Sequence, residues 1–416
     1  MTEIPLRRNR DFVLLQVGQG LSTLGSTSTY VAYPLLVLAL THSPARAGAV
    51  GFANVLPYAL FALLAGVVAD RVDRKRLMIA MDLVRAAAMA SIVIALAAGV
   101  LTFWQVAAVA FVEGSAFVFF NLAEVGALRS VVSRRQLPEA AAAEQSRYAA
   151  VTVAGPSLGG ALFGLGRSLP FLGDAVSYAA SILTLTWMRT PFQETRERDP
   201  APLRTQVREG VAWLWANAYL RTTALIFAVG NFAFSGIYLV FVVLAKRDGF
   251  SPAAIGALIA VFGGVSLVGS VAAPRLAKLL SMRSILVGNQ WLSAALILCA
   301  IAPGPYVLLA CVLPIAFFSP ALNSVVVGYR TAITPDHLVG RVSSVARNLA
   351  QLAAPLGPLA AGLLLDSFSA RTTMLVLGAV ALVVAVWTTA SPSIRNAPSL
   401  SELEDAPDAL PATMEA

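Results

Sequence analysis

The sequence predicts an all-α protein that crosses a membrane twelve times as two pseudo-symmetric six-helix bundles. Three observations carry this reading: the composition, the spacing of the apolar runs and an internal echo between the two halves. The 416 residues are 58% hydrophobic and 12% charged, about half the charged share of an ordinary soluble domain. The mean hydropathy is +0.75. Apolar runs of roughly 20 residues recur from end to end, each long enough to cross a hydrocarbon layer about 30 Å thick as an α-helix.

In chain order, spans 1 to 6 are expected at 12–38, 47–69, 77–98, 103–126, 144–165 and 169–188. Spans 7 to 12 follow at 221–244, 252–275, 283–302, 305–328, 344–365 and 371–390. Glycine and proline interrupt several of them, as at Gly155-Pro156 and Pro355-Leu356-Gly357. Membrane helices tolerate such breaks where neighbouring helices satisfy the freed backbone groups. The first apolar run is too long for a signal peptide and lacks a small-residue cleavage site, so it is expected to stay as helix 1.

Between the bundles (1–189 and 221–390) lies a segment of different character, 190–220. It opens with charge and proline and continues with Val207, Val211, Leu214 and Trp215 at amphipathic spacing, which predicts a cytoplasmic linker followed by a helix on the membrane surface. The tail, 391–416, is acidic and proline-containing, and is expected to be disordered.

The halves echo one another at an offset of about 200 residues. Asn121 and Gly126 match Asn323 and Gly328, "RSVVSRRQL" at 129–137 parallels "RTAITPDHL" at 330–338, "GPSLGG" at 155–160 falls in register with "GPLAAG" at 357–362, and Gly66 corresponds to Gly269. Parallel repeats of this kind suit a secondary transporter whose halves rock around a site near the midplane.

Of the 30 Lys and Arg residues, 23 fall before span 1, in the alternate loops or their edges, or after span 12. The positive-inside rule then puts both termini in the cytoplasm. The net charge of +8 is a topology signal and not a nucleic-acid footprint. Cys299 and Cys311 sit in apolar spans and read as packing residues; His42 and His337 lie in loops far apart, so no metal site is expected.

The loop after span 2 holds "GVVADRVDRKR", Gly66 to Arg76. A glycine, three residues, Asp-Arg, two residues and then Arg-Lys resembles the cytoplasmic signature of the major facilitator superfamily. Asp73 departs from it, standing where the commonest form has a second glycine. "GPSLGG" in span 5, with Gly155, Pro156, Gly159 and Gly160, resembles the antiporter motif of that superfamily's exporters, without its usual upstream glycine. "PDHLVGRVSS" at 335–344 followed by "APLGPLAAGLLLD" at 354–366 resembles the branch of macrolide and siderophore exporters.

In the loop, Asp70 is expected to meet the positive N-terminal end of span 11 near Gly340 to Ser344, and Gly66 to allow close helix approach. Arg71, Arg74, Lys75 and Arg76 hold the loop in the cytoplasm. Such a charge–dipole contact is worth ~0.3–2 kcal/mol, while tilting a two-state equilibrium from mostly open to mostly closed takes a few kcal/mol; one contact biases a cycle without driving it. Asp82 and Arg85, three apart on one helical face, are expected to pair with each other or with the charged loop cluster and not to bind substrate. In span 5 the motif is read as a pliant, close-packed bend or as a kinked helix crossing.

The resemblance implies that helices 1, 4, 7 and 10 line a central cavity. Polar residues on them are Gln19, Ser22, Ser26 and Tyr30, then Glu113 and Asn121, Asn231, and Asn323, each of which serves equally well as interhelical glue. Glu113 stands apart in "VAFVEGSAFVFF", where an ionised carboxylate costs at least a few kcal/mol unless it pairs, meets water or takes up a proton. It is the leading proton-coupling candidate; Glu124, Glu144 and Asp174 lie nearer span ends and rank below it.

These features converge on a proton-coupled exporter of a small amphipathic molecule such as a drug, antibiotic or siderophore, working by alternating access in a bacterial cytoplasmic membrane, as a monomer and without a cofactor. No G-x-x-x-x-G-K-[ST] phosphate loop is present. A flippase for lysophospholipids or a non-transporting receptor or scaffold are the alternatives. An enzyme is least expected, since no Ser-His-Asp or Cys-His arrangement is evident.

Overall fold

The computed structural model describes residues 5–192 and 203–398. Among the described residues, twelve helical stretches are long and apolar enough to cross a membrane. The helices are α1 (Arg10–Thr41), α2 (Pro44–Arg71), α3 (Arg74–Ala97), α4 (Phe103–Val131), α5 (Leu137–Leu165), α6 (Leu169–Trp187), α7 (Leu203–Ala216) and α8 (Ala218–Arg247). They continue with α9 (Pro252–Leu279), α10 (Met282–Ala294), α11 (Pro305–Ile333), α12 (Asp336–Leu352), α13 (Leu356–Ser367), α14 (Ala370–Ala390) and the short α15 (Pro392–Arg395). Eleven of the twelve predicted spans fall on these helices to within one residue, span 11 across the break between α12 and α13, and span 9 runs from α10 into a 3-10 helix at Ala295–Ala300. Most of the helices overrun their spans because the apolar window measures only the oily layer, whereas the polar turns beyond it are still helical.

The ends are set by local chemistry. Asn9 caps α1, its Oδ1 accepting from the Phe12 N–H at 3.2 Å, and Thr102 caps α4 through the Gln105 N–H. Asp73 caps α3, its Oδ1 accepting from the Arg76 N–H at 2.8 Å. The departure from the superfamily loop pattern therefore has a physical reason: aspartate is among the strongest N-caps, and its charge suits a helix N-terminus.

Proline acts differently in the two marked places. Pro156 stays inside a continuous α5. Pro355 divides span 11 into α12 and α13, and Asn231 on α8 donates from Nδ2 to the Ala350 carbonyl at 2.9 Å, one turn before the break. A neighbouring helix thus satisfies a backbone group near the interruption.

The chain forms two compact units, Met1–Glu197 with Ala245–Gly263, and Arg198–Leu244 with Gly264–Ala416. The division differs from a cut between 189 and 221 in assigning the end of α8 and the first half of α9 to the first unit. Glycines explain this: a Cβ on Gly160 of α5 would meet the Pro252 carbonyl and the Gly256 backbone, and one on Gly263 would lie 3.0 Å from the Thr152 carbonyl. Within the first unit α1 packs on α5 and α6, α2 on α4, and α3 on both α4 and α6.

The N-terminal end of α1 is tied to the end of α6. Asp11, buried, accepts from the backbone N–H groups of Arg189 at 3.0 Å and Thr190 at 2.7 Å, and from the Thr190 hydroxyl. Asn9 Nδ2 donates to the Val131 carbonyl, closing the end of α4 onto the same place.

In the second unit α10 packs on α11 and α14, and α7 packs on α12. Leu214 of α7 is fully buried, Gly210 abuts the Arg341 carbonyl, and Glu209 is ion-paired with Arg341, whereas Val211 and Trp215 remain exposed. The predicted amphipathic helix is therefore docked on protein along one side. Of the predicted tail, Ile394 is buried and Ser393 shares a hydrogen bond with Thr222, so its first turn is folded; residues 399–416, and 193–202 of the linker, lie outside the described residues.

The repeat-related glycines Gly66 and Gly269 are not equivalent. A Cβ on Gly66 would meet open space within its surroundings, whereas one on Gly269 would press into the Phe317 carbonyl of α11. Within the second unit a close helix approach is made at Gly269. Gly269→Ala is expected to destabilise the protein by about 1–3 kcal/mol while Gly66→Ala leaves it unchanged, as read by thermal melting of the two purified variants; equal melting of both would remove the distinction.

Candidate functional site

The charged loop works first as a set of helix caps. Arg74 donates from Nε to the Ala69 carbonyl at the end of α2, reaches the Phe192 carbonyl, pairs with Asp70 at 3.2 Å, and lies over Gly126 of α4. Lys75 donates from Nζ to the Met188 carbonyl just beyond α6 at 2.7 Å. Cations at helix C-termini satisfy carbonyls that have no partner within the helix and meet the negative end of the dipole. Asp70 is paired one turn on, with its side chain 67% exposed, and Arg71 is exposed beside it.

Deeper in the first unit lies a buried polar cluster. Asp82 and Arg85 share one face of α3 and pair at 3.3 Å, as their spacing predicts. Arg85 also reaches Glu113 of α4 at 3.3 Å and donates to Ser26 Oγ of α1 at 2.8 Å. Its guanidinium lies over the Tyr178 ring of α6, 4.1 Å from the centroid, with Phe117 and Phe120 further out. Aromatic faces of this kind hold a desolvated cation.

Glu113 is held on both oxygens. Asn54 of α2 donates to Oε2 at 2.6 Å, while Arg85 and the Tyr178 hydroxyl, at 3.4 Å, meet Oε1. Gly114, next in sequence, brings the α4 backbone against the Asn54 carbonyl, so the approach of α2 and α4 is what places the amide.

Asp174 belongs to this cluster, which corrects its lower ranking by position along the span. It is 1% exposed, and its Oδ2 meets Thr29 Oγ1 at 2.9 Å and the Tyr178 hydroxyl at 3.2 Å. Asp82, Arg85, Glu113, Asp174 and Tyr178 thus draw four helices, α1, α3, α4 and α6, around one group of charges, with α2 as a fifth through Asn54. Tyr178 and Asn54 are not legible as site residues in the sequence, whereas Asp174 ranks there below Glu113 and Arg85 is read only as the partner of Asp82. The one available signal was that Asp174 and Arg85 are ionisable residues inside apolar spans, which are rare and functional by default.

The other candidates separate by environment. Gln19, Ser22 and Ser26 face into the first unit: Gln19 and Ser22 are buried, Gln19 lies 3.4 Å from Ser181 of α6, and Ser26 contacts Tyr178 and Arg85. Their contacts within this unit are those of interhelical glue. Tyr30 is exposed, Asn121 is half-buried and Asn323 is exposed, while Asn231 holds the α12 carbonyl described above. Near Asn121, Glu124 on α4 pairs with Arg147 on α5 at 3.0 Å, and Glu144 lies 3.8 Å from the same guanidinium.

The "GPSLGG" segment is a close-packed crossing. A Cβ at Gly155 would collide with Thr27 and one at Gly159 with the Ser28 backbone, both on α1, while Gly160 abuts α9. Ser28 Oγ adds a bond to the Gly155 carbonyl at 3.0 Å.

Comparisons with known proteins agree with this architecture. The family model described as "Transmembrane secretion effector" matches residues 2–410. The multidrug efflux pump Tap of Mycolicibacterium fortuitum is 28% identical over 395 residues, covering 89% of this chain and 93% of its own. Macrolide efflux protein A of Streptococcus pyogenes is 24% identical over 390 residues, covering 90% and 94%. A bacterial homologue of the human lysosomal transporter Spinster, solved inward-facing and unoccupied, superposes with a TM-score of 0.71 at 14% identity over 94% of this chain and 98% of that one. A bacterial homologue of the iron transporter ferroportin, inward-facing, gives 0.69 at 17% identity over 93% and 100%. At such identities the solved structures speak for the fold alone. These relatives and neighbours are transporters and not enzymes, and with one family model running along nearly the whole twelve-span chain, the protein belongs to the transmembrane secretion effector family of the major facilitator superfamily.

Proposed function

We propose that the protein is a proton-coupled exporter of small amphipathic molecules, antibiotics and other drugs among them, working by alternating access in a bacterial cytoplasmic membrane with both termini inside. The observation that supports it most is the buried cluster around Glu113: Asp82 and Glu113 share one guanidinium in the interior of the first bundle, and a third carboxylate, Asp174, joins them through Tyr178. A membrane protein retains uncompensated carboxylates at depth when their protonation does work. The relatives' names supply the cargo class, a multidrug efflux pump and a macrolide efflux protein.

Within this reading Glu113 couples protons, and its pairing with Arg85 supplies the alternative it needs. Protonated, Glu113 releases Arg85 to Asp82; ionised, it shares the guanidinium. Asn121, beside the Glu124–Arg147 pair, and Tyr30 remain candidates for cargo contact. The protein is taken to act as a monomer on a small-molecule substrate and protons.

The test is efflux of ethidium and of a macrolide from cells expressing the wild type or Glu113→Gln, with and without a protonophore. Wild-type efflux is expected to stop with the protonophore, and Glu113→Gln to leave efflux at the level of cells lacking the transporter despite normal membrane insertion. Efflux that ignores both treatments would sink the coupling mechanism.

A further inference from the structure

Resting on the proton-coupled reading, a count of charges and hydrogen-bond donors in the buried cluster goes further and separates its carboxylates. Among the described residues, Arg85 is the only cation paired with them. Asp82 and Glu113 each receive a guanidinium N–H, and Glu113 has Asn54 besides. Asp174 receives none.

Asp174's neighbours are hydroxyls, each with one hydrogen to give. Thr29 Oγ1 lies 3.1 Å from the Gly25 carbonyl and 2.9 Å from Asp174 Oδ2. Ser177 Oγ lies 2.7 Å from the Asp174 backbone carbonyl and only 3.2 Å from Oδ1. With Asp174 ionised, both hydroxyls must choose between a buried carbonyl and a buried carboxylate. With a proton on Oδ2 the conflict vanishes: Asp174 donates to Thr29, which donates on to Gly25, and Ser177 keeps its carbonyl. The site is also sealed, since Gly25 sets the α1 backbone directly against the Asp174 side chain.

The groups facing Asp174 from the surrounding helices are Thr29 and Tyr33 of α1, Arg85 of α3, Glu113 of α4, and Ser177 and Tyr178 of α6 itself. Asp82 is further along the same guanidinium, beside Ser181 of α6. Two negative charges in excess of the single cation would carry a large desolvation penalty in this interior, so the cluster needs bound protons, and the donor count puts one on Asp174.

The Tyr178 hydroxyl bridges the two ends of the cluster, 3.2 Å from Asp174 Oδ2 and 3.4 Å from Glu113 Oε1. We propose that Asp174 holds the transferable proton of the first bundle, and that Tyr178 relays it to Glu113. In the transfer the Asp174 Oδ2–H first turns from Thr29, 2.9 Å away, to the Tyr178 oxygen, 3.2 Å away, with Thr29 turning its own hydrogen to Oδ2; the Oδ2–H bond then breaks as the Tyr178 oxygen takes that proton, and the phenol's own proton forms the O–H bond on Glu113 Oε1. Tyr178 ends unchanged, Asp174 becomes the carboxylate, and the total charge is conserved. Glu113, newly neutral, then loosens its hold on Arg85.

The experiment is infrared spectroscopy of the purified transporter in detergent at neutral pH, reading the C=O stretch of a buried protonated carboxyl, a signal that needs no cargo. The wild type is expected to show the band, Asp174→Asn to lose it, and Glu113→Gln to keep it. Absence of the band in the wild type, or its loss in Glu113→Gln with retention in Asp174→Asn, overturns the assignment. Tyr178→Phe tests the relay: it should keep the band and lose protonophore-sensitive ethidium efflux, and wild-type efflux from that variant overturns the relay. Wild-type efflux that ignores the protonophore while the band remains on Asp174 would instead refute proton-coupled transport, which keeps the two failures apart.

Discussion

Arg85→Met is expected to cost the protein about 3–5 kcal/mol, the penalty for removing one member of a buried ion pair and leaving its partners charged. Asp82, fully buried, and Glu113 both lose their cation, and Tyr178 loses the guanidinium packed on its ring. The variant should insert poorly and melt far below the wild type in detergent. The triple variant Arg85→Met/Asp82→Asn/Glu113→Gln should recover much of the loss, because the neutral amides no longer demand a counter-charge. Arg129→Met, at an exposed position on the same unit, is the comparison: if Arg85→Met melts no lower than Arg129→Met, the cluster does not hold the bundle together.

The second large effect is expected at the α1–α5 crossing. The Gly159 Cα sits where any side chain would enter the Ser28 backbone, and backbone, unlike a flexible side chain, has little room to give. Gly159→Leu should therefore prevent accumulation of folded protein in the membrane, and Gly159→Ala should destabilise it by about 1–3 kcal/mol. Gly164→Ala, five residues along the same helix and facing open space, should behave as wild type. Matching behaviour of Gly159→Ala and Gly164→Ala would mean the crossing relaxes freely, contrary to its tight geometry.

Much of the fold is legible in the sequence because its cause is one-dimensional. A helix must be long and apolar to cross the layer, so the spans follow from a running average. The Asp82–Arg85 pair follows equally from three-residue spacing on one helix, a relation local in the chain. Glu113 is conspicuous for a similar reason: it is a lone carboxylate within an oily run.

What escaped is the set of relations between helices. Nothing in the sequence says that Arg85 turns toward Glu113, or that Asp174, the sixth residue of α6, is enclosed by α1. Position along a span measures depth, whereas enclosure is decided by which neighbour covers the residue. The same distinction explains Gln19, Ser22 and Ser26, whose polarity marks them but whose direction is set by α6 and α3. It explains Gly66 and Gly269 too, since matched letters in two repeats do not guarantee matched neighbours. The division of span 11 at Pro355, by contrast, was marked by sequence, while the uninterrupted Pro156 needed the packing of α1 and α9 around it.

The seal at the start of α1 bears on the order in which the molecule is made. Asp11 finds its acceptor role only with the amides of Arg189 and Thr190, 178 and 179 residues later, and Asn9 waits for Val131. During synthesis the first helix therefore enters the bilayer with its polar collar open, exchanging partners with water and headgroups until the sixth helix has left the ribosome. The first bundle closes like a drawstring, pulled by the last of its own helices.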